Sequence, residues 1–451
     1  MRQVDDLGAM YLAAENSRVT THTAALVTVD PSALPDGRLT VGMVRAMVRD
    51  RLHLIAPFRW RLVRVPLGLD RPYWAETGVD LDFHVRETAL PPPGDEAQLR
   101  EQVARIFSRQ LDRSRPLWEM YLIQGLAHGR AAVLTKVHHA AADGRTGAQI
   151  LSILTDPVPH PDLPPGAEQV VTSPPPNTTA MLIHGLVDLV RQPLRAWADL
   201  PGVLTGLEEQ PIFGAPRTSF NRRVSPHRRI GLATMTLNDV KRVKNRFTVS
   251  VNDVVMAIAA GALRRWLLEH DELPADPLTA VVPVSLRGSG PSSYGNQLSA
   301  VVVRIPTDEP EPDGRVNAAH QAMLTALRDH RATAPDTLAD TIRLVSPVLV
   351  GLTAQLLTGL NTWAPLTPAM NVNISNVPGP PDQLYFAGAR VESMVPLAGI
   401  TDGLGLNITV MSYHGELTAG IVADRDQVPD VQRIADWMAE ELAVLLKQVD
   451  D

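Results

Sequence analysis

A mixed α/β fold built as two similar-sized halves is what this chain predicts, and three observations carry the prediction. The 451 residues, 45% of them apolar, exceed what one hydrophobic core usually supports. Short β-like runs alternate with amphipathic helical segments on both sides of the middle. Between them lies a proline-rich stretch whose composition breaks regular structure. Two core-bearing units follow, 1–155 and 226–451, joined by a crossover at 156–225 that carries an amphipathic helix. Two halves joined this way leave a cleft between them, a usual place for a ligand.

In the first half, Ala24 to Val29, Met120 to Ile123 and Ala131 to Val137 are short runs rich in apolar and β-branched residues, which favour strands. Thr40 caps a helix whose apolar positions Val41, Val44, Met47 and Val48 recur at helical spacing. A second helix over Glu96 to Leu111 places Leu99, Val103 and Ile106 on one side, and Thr146 to Leu154 reads as a third, shorter one. The crossover contains DPVPHPDLPPG and SPPP, then a helical segment at Met181 to Trp197. Beyond it, Ser250 and Asp253 stand at the spacing of a capping box and open a long helix through Val254, Val255, Ile258, Ala262 and Trp266. Leu278 to Val284, Gln297 to Ile305 and Leu406 to Tyr413 follow as strands. His414-Gly415 is a turn, Glu416 to Val422 its returning partner, and Pro429 to Val449 a final amphipathic helix.

The stretch with the most chemistry is His138-His139-Ala140-Ala141-Ala142-Asp143-Gly144, at the carboxyl end of the strand Ala131 to Val137. A neutral imidazole is the side chain best suited to take a proton near neutral pH, so the segment reads as an acid/base site. Neighbouring side chains in a strand point to opposite faces, so His138 and His139 do not look into the same cavity. One is the base, and the other packs or hydrogen-bonds beneath it. The same geometry argues against both holding one metal ion. Gly144 lets the backbone turn without a side chain in the way.

Composition excludes several classes. A net charge of -7 and a pI near 6.0 argue against a chain built to neutralise nucleic acid. The absence of cysteine excludes disulfides and acyl-cysteine intermediates, and fits a reducing, cytoplasmic setting. The amino-terminal MRQVDDLGAMYLAAEN has no basic stretch followed by an apolar core, so no secretory signal is expected.

Five elements occur in a telling order: Leu111-Asp112-Arg113-Ser114-Arg115-Pro116-Leu117-Trp118-Glu119, then HHAAADG, then Asn252-Asp253, then Pro283-Val284-Ser285-Leu286-Arg287, then Asn373-Ile374-Ser375-Asn376-Val377-Pro378-Gly379-Pro380. Taken together they resemble the bacterial wax ester synthase/diacylglycerol acyltransferases, within the His-x-x-x-Asp CoA-dependent acyltransferases. The likeness extends to Asp5 to Glu15 at one end and Gly405 to Asp424 at the other. It implies two chloramphenicol-acetyltransferase-like halves with the active site in a channel between them. The implied reaction moves a long acyl group from acyl-CoA to diacylglycerol or a fatty alcohol, with acyl-CoA as substrate and no cofactor or metal.

The resemblance casts His139 as general base, His138 as framework and Asp143 as organiser, with Arg287 as the candidate partner of that carboxylate. Ser375 and Asn376, or backbone amides, are candidates for the donor that meets the oxyanion, although Asn-Val-Pro-Gly-Pro is also strong turn chemistry. Asn252 and Asp253 have a structural reading at a helix entry beside a chemical one. Pro116, Leu117 and Trp118 read as packing or as a substrate contact. A related enzyme with another acyl donor or acceptor, and a lipid-binding protein without turnover, share the same motifs in principle.

A lipid substrate needs an apolar conduit. Leu344 to Pro381 carries no charged residue, and Val345 to Leu360 reads as a buried helix, a channel wall or a surface that dips into lipid. Met181 to Trp197 suits an interface, with arginines at its edge, so peripheral attachment to a membrane or lipid droplet is an expectation. The CoA phosphates favour basic clusters such as Arg222, Arg223, His227, Arg228 and Arg229, or Lys241, Arg242, Lys244 and Arg246, which are also compatible with plain solvated faces.

Overall fold

The computed structural model describes residues 2–142, 144–161, 177, 179, 181, 214–284, 299–332 and 370–450. Asp143, Arg287, nearly all of Met181 to Trp197 and the run 344–369 lie outside the described residues.

Strands β1 (Arg2–Gln3), β2 (His22–Asp30), β3 (Trp60–Val63), β4 (Tyr73–Glu76), β5 (Val85–Ala89), β6 (Trp118–Gln124) and β7 (Ala131–His138) belong to the first half. So do the helices α1 (Asp6–Ala14), α2 (Val41–Arg51), α3 (Leu81–His84), α4 (Glu96–Phe107) and α5 (Gly144–Leu154). The second half supplies β8 (Arg228–Thr236), β9 (Leu278–Val284), β10 (Ser299–Ile305), β11 (Val372–Val377), β12 (Tyr385–Phe386), β13 (Ala389–Leu397), β14 (Leu406–Tyr413) and β15 (Glu416–Asp424). Its long helices are Val251–Glu269, Pro312–Ala332 and Val431–Asp450.

Local signals in the chain account for most of these boundaries. Thr40 accepts from the Met43 amide and starts α2, and Ser250 with Asp253 forms the full reciprocal capping box. His414 and Gly415 both have positive φ, the geometry of a tight hairpin between β14 and β15. The helix expected over Glu96 to Leu111 stops at Phe107, where Ser108 Oγ turns back onto the Ala104 carbonyl.

Two six-stranded sheets organise the protein, in the orders β12-β13-β2-β7-β6-β5 and β10-β9-β11-β14-β15-β8. The first contains a surprise. Strands β12 and β13 come from the second half of the chain, yet β13 pairs antiparallel with β2 from Arg390 opposite Asp30 to Leu397 opposite Ala24. A division at 156–225 therefore separates the chain but not the sheets. The exchange is tight: Thr418 Oγ1 on β15 donates to the Met394 carbonyl on β13 at 2.5 Å. A Cβ on Gly420 would sit 2.0 Å from the Pro396 carbonyl oxygen, so only glycine lets these backbones meet.

The second sheet packs one face on Val251–Glu269, Pro312–Ala332 and Val431–Asp450, around Val254, Ile258, Trp266, Ile374 and Ile408. The first sheet has core on both faces, one of them holding Trp118, Val137, Ala140 and Met411 together.

Candidate active site

Strand β7 is buried along its whole length and ends at His138. The His138 ring lies fully buried on the same face as Lys136 and as His22, its direct partner on β2. Its Nδ1 accepts the Ala140 amide at 3.0 Å, so the ring hydrogen resides on Nε2. That Nε2 stands 3.0 Å from Thr21 Oγ1, which in turn donates to the Tyr11 carbonyl at 3.1 Å. Burial pushes the imidazole below its ordinary 6.5 even though the Glu15 carboxylate lies 3.6 Å from Nε2. With both nitrogens engaged, this ring holds a turn together and has no lone pair free for a substrate proton.

His139 follows the strand and turns the other way. Its ring is half-buried and stacks on Tyr11 with centroids 4.3 Å apart and planes 21° apart. Its backbone amide is tied to the Thr21 carbonyl at 2.8 Å. The alternation read from the sequence thus separates one closed imidazole from one that is accessible, and an accessible neutral imidazole is competent to take a proton.

Helix α1 forms the wall against which the pair is set. Asp5 caps it through the Gly8 amide at 2.6 Å, and a Cβ on Gly8 would meet the Ala140 carbonyl at 3.2 Å, so the helix lies directly on the turn. Beyond it, Glu15 receives Arg113 at 2.6 and 2.9 Å, and Arg113 also donates to the Leu12 carbonyl at 2.7 Å. Neither Tyr11 nor Glu15 stands out in the sequence by itself. The signal that finds them is the small residue at Gly8 together with an isolated acid at the helix end.

The remaining predicted residues fall into place as follows. Pro116, Leu117 and Trp118 are all buried. Trp118 stacks on Phe58 and His84, gives its Nε1 hydrogen to the Phe58 carbonyl at 2.9 Å, and leaves 1% of its surface exposed. Leu117 accepts the His138 amide at 2.9 Å. These three hold the strand end and present no surface to a substrate, so the contact expected of them is a packing one. Gly144 opens α5 directly after the turn.

Asp253 is buried by its capping box and accepts from His320 Nδ1 at 2.8 Å, while Asn252 is the half-buried second residue of that helix. That is the structural reading of the pair. Ser375 and Asn376 are consecutive on β11 and so face opposite ways; Ser375 shares the face turned from the helices, and Asn376 does not. They cannot serve one oxyanion together through their side chains.

Among the described residues no cluster of His, Asp or Glu side chains is arranged to hold a metal ion. A cavity of about 420 Å³ lies between α4, β8 and Val431–Asp450, lined by Glu96, Arg100, Thr234, Gln432 and Asp436, and contains none of the predicted site residues.

The buried imidazoles make stability depend on pH. Burial lowers His22, His84 and His138 below 6.5 in the folded chain. Unfolded chains then bind more protons between the folded values and 6.5, so stability is complete above about pH 6.5 and falls as pH drops below it. The melting temperature should therefore hold above about pH 6.5 and decrease from there to about pH 5, before carboxylates titrate fully. A melt that is flat across that interval contradicts this account.

Comparison with known proteins covers the whole chain. Residues 4–255 match the wax ester synthase/diacylglycerol acyltransferase catalytic domain, and residues 294–446 match the C-terminal domain of the same proteins. A putative diacylglycerol O-acyltransferase of Mycobacterium tuberculosis is 36% identical over 465 aligned positions, covering 100% of this chain and 91% of the relative. Another from that organism is 37% identical, covering 98% of this chain and 99% of the relative. The solved wax ester synthase/diacylglycerol acyltransferase of Marinobacter aquaeolei VT8 superposes with a TM-score of 0.76 at 29% identity, with both chains covered completely. The first condensation domain of the calcium-dependent antibiotic synthetase shares the fold at a TM-score of 0.58 and 16% identity, covering 100% of this chain and 96% of the other. Likeness at that last distance speaks for the architecture alone, but the two domain matches and the relatives above 30% reach from the histidine turn to the final helix: the chain belongs to the wax ester synthase/diacylglycerol acyltransferase family.

Proposed function

We propose that this chain is a CoA-dependent O-acyltransferase that moves a long-chain acyl group from acyl-CoA to diacylglycerol, to a fatty alcohol, or to both. The observation that carries the proposal is the division of labour in the histidine pair, with His138 closed and His139 accessible against Tyr11.

In this reading His139 removes the hydroxyl proton as the acceptor oxygen attacks the thioester carbonyl. The tetrahedral intermediate expels the CoA thiolate, which recovers the proton from the His139 imidazolium and leaves as free thiol. No acyl-enzyme forms, in keeping with a chain that has no cysteine. Positioning both substrates beside one imidazole supplies much of the acceleration. Asp143 organises the turn with Arg287 as its partner, and a backbone amide or Ser375 meets the oxyanion. The acceptor is a lipid, so the enzyme works at a lipid surface from the cytoplasmic side.

The test crosses acyl-CoA chain length with diacylglycerol and fatty-alcohol acceptors, reads free thiol, and identifies products by mass. Thiol release that requires a lipid alcohol, with the matching ester as product, is the expected outcome. Lipid binding without thiol release across the whole panel sinks the proposal.

A further inference from the structure

The second sheet turns one face to its helices and the other toward the first half. On β11, Val372 and Ile374 belong to the helix-side core, so Asn373 and Ser375 point the other way. On β14 the helix side takes Leu406, Ile408 and Val410, which leaves Asn407 and Thr409 on the same face as Asn373 and Ser375. Register sets Asn373 opposite Asn407 and Ser375 opposite Thr409. Four small polar side chains therefore form one patch.

The patch lies near the histidine end of the first sheet. Thr409 opposes Gly420, which abuts the Pro396 carbonyl on β13. Pro396 in turn pairs with Ala25 of β2, whose His22 is the partner of His138. Farther along the same face of β14, Met411 and Tyr413 pack in the cluster that includes Ala140, Ala141 and Ala142.

Two atoms in this patch are unaccounted for. Asn407 is 1% exposed, and its Nδ2 has no hydrogen-bond partner. Asn373 Oδ1, on the neighbouring strand, is also buried without a partner. Thr409 Oγ1 donates to Asn407 Oδ1 at 2.8 Å, which orients that amide and leaves the donor side outward. Nearby Asn371 shows what a structural asparagine looks like here: its Oδ1 accepts the Thr279 amide, and its Nδ2 reaches the Pro216 carbonyl and Asn221. Burying a donor and an acceptor with nothing to satisfy them is costly. Side by side, they match a ligand that has one of each.

We propose that Asn373 and Asn407 recognise a secondary amide, that of the thiol-side arm of the acyl-CoA donor. This rests on the reading of the chain as a CoA-dependent acyltransferase. A secondary amide offers one N–H and one C=O; Asn373 Oδ1 accepts the first and Asn407 Nδ2 donates to the second. Diacylglycerol esters and fatty alcohols have no N–H. The reacting hydroxyl is also excluded, because its hydrogen goes to His139. In a CoA thioester only a short methylene spacer separates the sulfur from the first amide. A contact there fixes the thioester carbonyl relative to the base, which is binding energy used for orientation.

The experiment compares three thioesters of one acyl chain. The first carries an N-acetylcysteamine arm, the second its O-acetyl analogue, which keeps the carbonyl and lacks the N–H, and the third a plain alkyl arm. The intact protein should lose about tenfold in kcat/KM at each step from amide to ester to alkyl, one good hydrogen bond at a time. Asn373→Val should erase the preference for amide over ester, and Asn407→Val the preference for ester over alkyl, with acceptor KM unchanged in both. Asn407→Val removes an unsatisfied buried donor but also deprives Thr409 Oγ1 of its acceptor, so its melting temperature should change little while its donor KM worsens. Indifference of the intact protein to the amide overturns the proposal. So does a preference that survives both substitutions, or a change confined to acceptor KM. Asn407→Val that melts lower with its preference intact would show that the donor holds structural water only, which also overturns it. If the intact protein releases thiol from no thioester at all, the acyltransferase reading fails, and this proposal fails with it.

Discussion

His139→Ala should lower thiol release from acyl-CoA by about 10²- to 10⁴-fold, the usual contribution of a positioned general base, with the fold intact. The fold should survive because the ring is half-buried and stacks one face on Tyr11. Such a stack is worth only about 0.5–1.5 kcal/mol. His138→Ala is the informative control. It strips the Ala140 amide of its acceptor and Thr21 Oγ1 of its partner, all within a buried turn. Each buried group left unsatisfied costs about 1–3 kcal/mol, so this variant should melt well below the parent. Circular dichroism and thermal melts on both proteins, beside the thiol assay, separate the two rings. A well-folded His138→Ala protein that is inactive, with His139→Ala still turning over, would exchange their roles.

The separation of the two histidines was legible in the sequence because it depends only on strand periodicity. The same holds for the capping residues Thr40, Ser250 and Asp253 and for the turn at His414-Gly415, where one or two side chains determine local backbone geometry. What was not legible is set by contacts distant in sequence. Nothing local to Ala389–Leu397 says that it leaves its own half to pair with His22–Asp30. The glycine that permits the exchange, Gly420, looks like any small strand residue until the Pro396 carbonyl appears against it.

Trp118 and its neighbours illustrate the opposite difficulty. A motif-borne tryptophan suggests a substrate contact, but pairing β6 with β7 buries the ring between Phe58 and His84. Ser375 and Asn376 misled by adjacency. The motif places them together in sequence, and the strand then sends them to opposite faces. Asn407 lies in none of the five ordered elements and becomes noticeable only when β14 aligns it with Asn373.

Glu15→Ala should be strongly damaging although it lies outside the histidine pair. The Glu15 side chain is 2% exposed and binds Arg113, whose own side chain is 27% exposed and also grips the Leu12 carbonyl. Removing one partner of a buried pair costs about 3–5 kcal/mol, and the partial exposure of Arg113 places this case toward the lower end. Burial by itself would raise the Glu15 carboxyl, but hydrogen bonding to His138 and the charge of Arg113 together hold it below its ordinary 4.5. The stability it contributes is thus complete above about pH 4.5 and is lost as pH falls through the lower, folded value. A double-mutant cycle gives the decisive measurement. Glu15→Ala and Arg113→Ala should each lower the melting temperature, and the double variant should lose less than the sum, because neither charge is then left buried alone. Additive losses would mean that the ion pair is incidental. Activity should fall in the same variants through the geometry of the turn, since Glu15 sits 3.6 Å from His138, and His138 shapes the backbone that presents His139. That loss should appear in kcat with little change in the KM for either substrate, because neither side chain of the pair lies on the accessible side where His139 stacks on Tyr11.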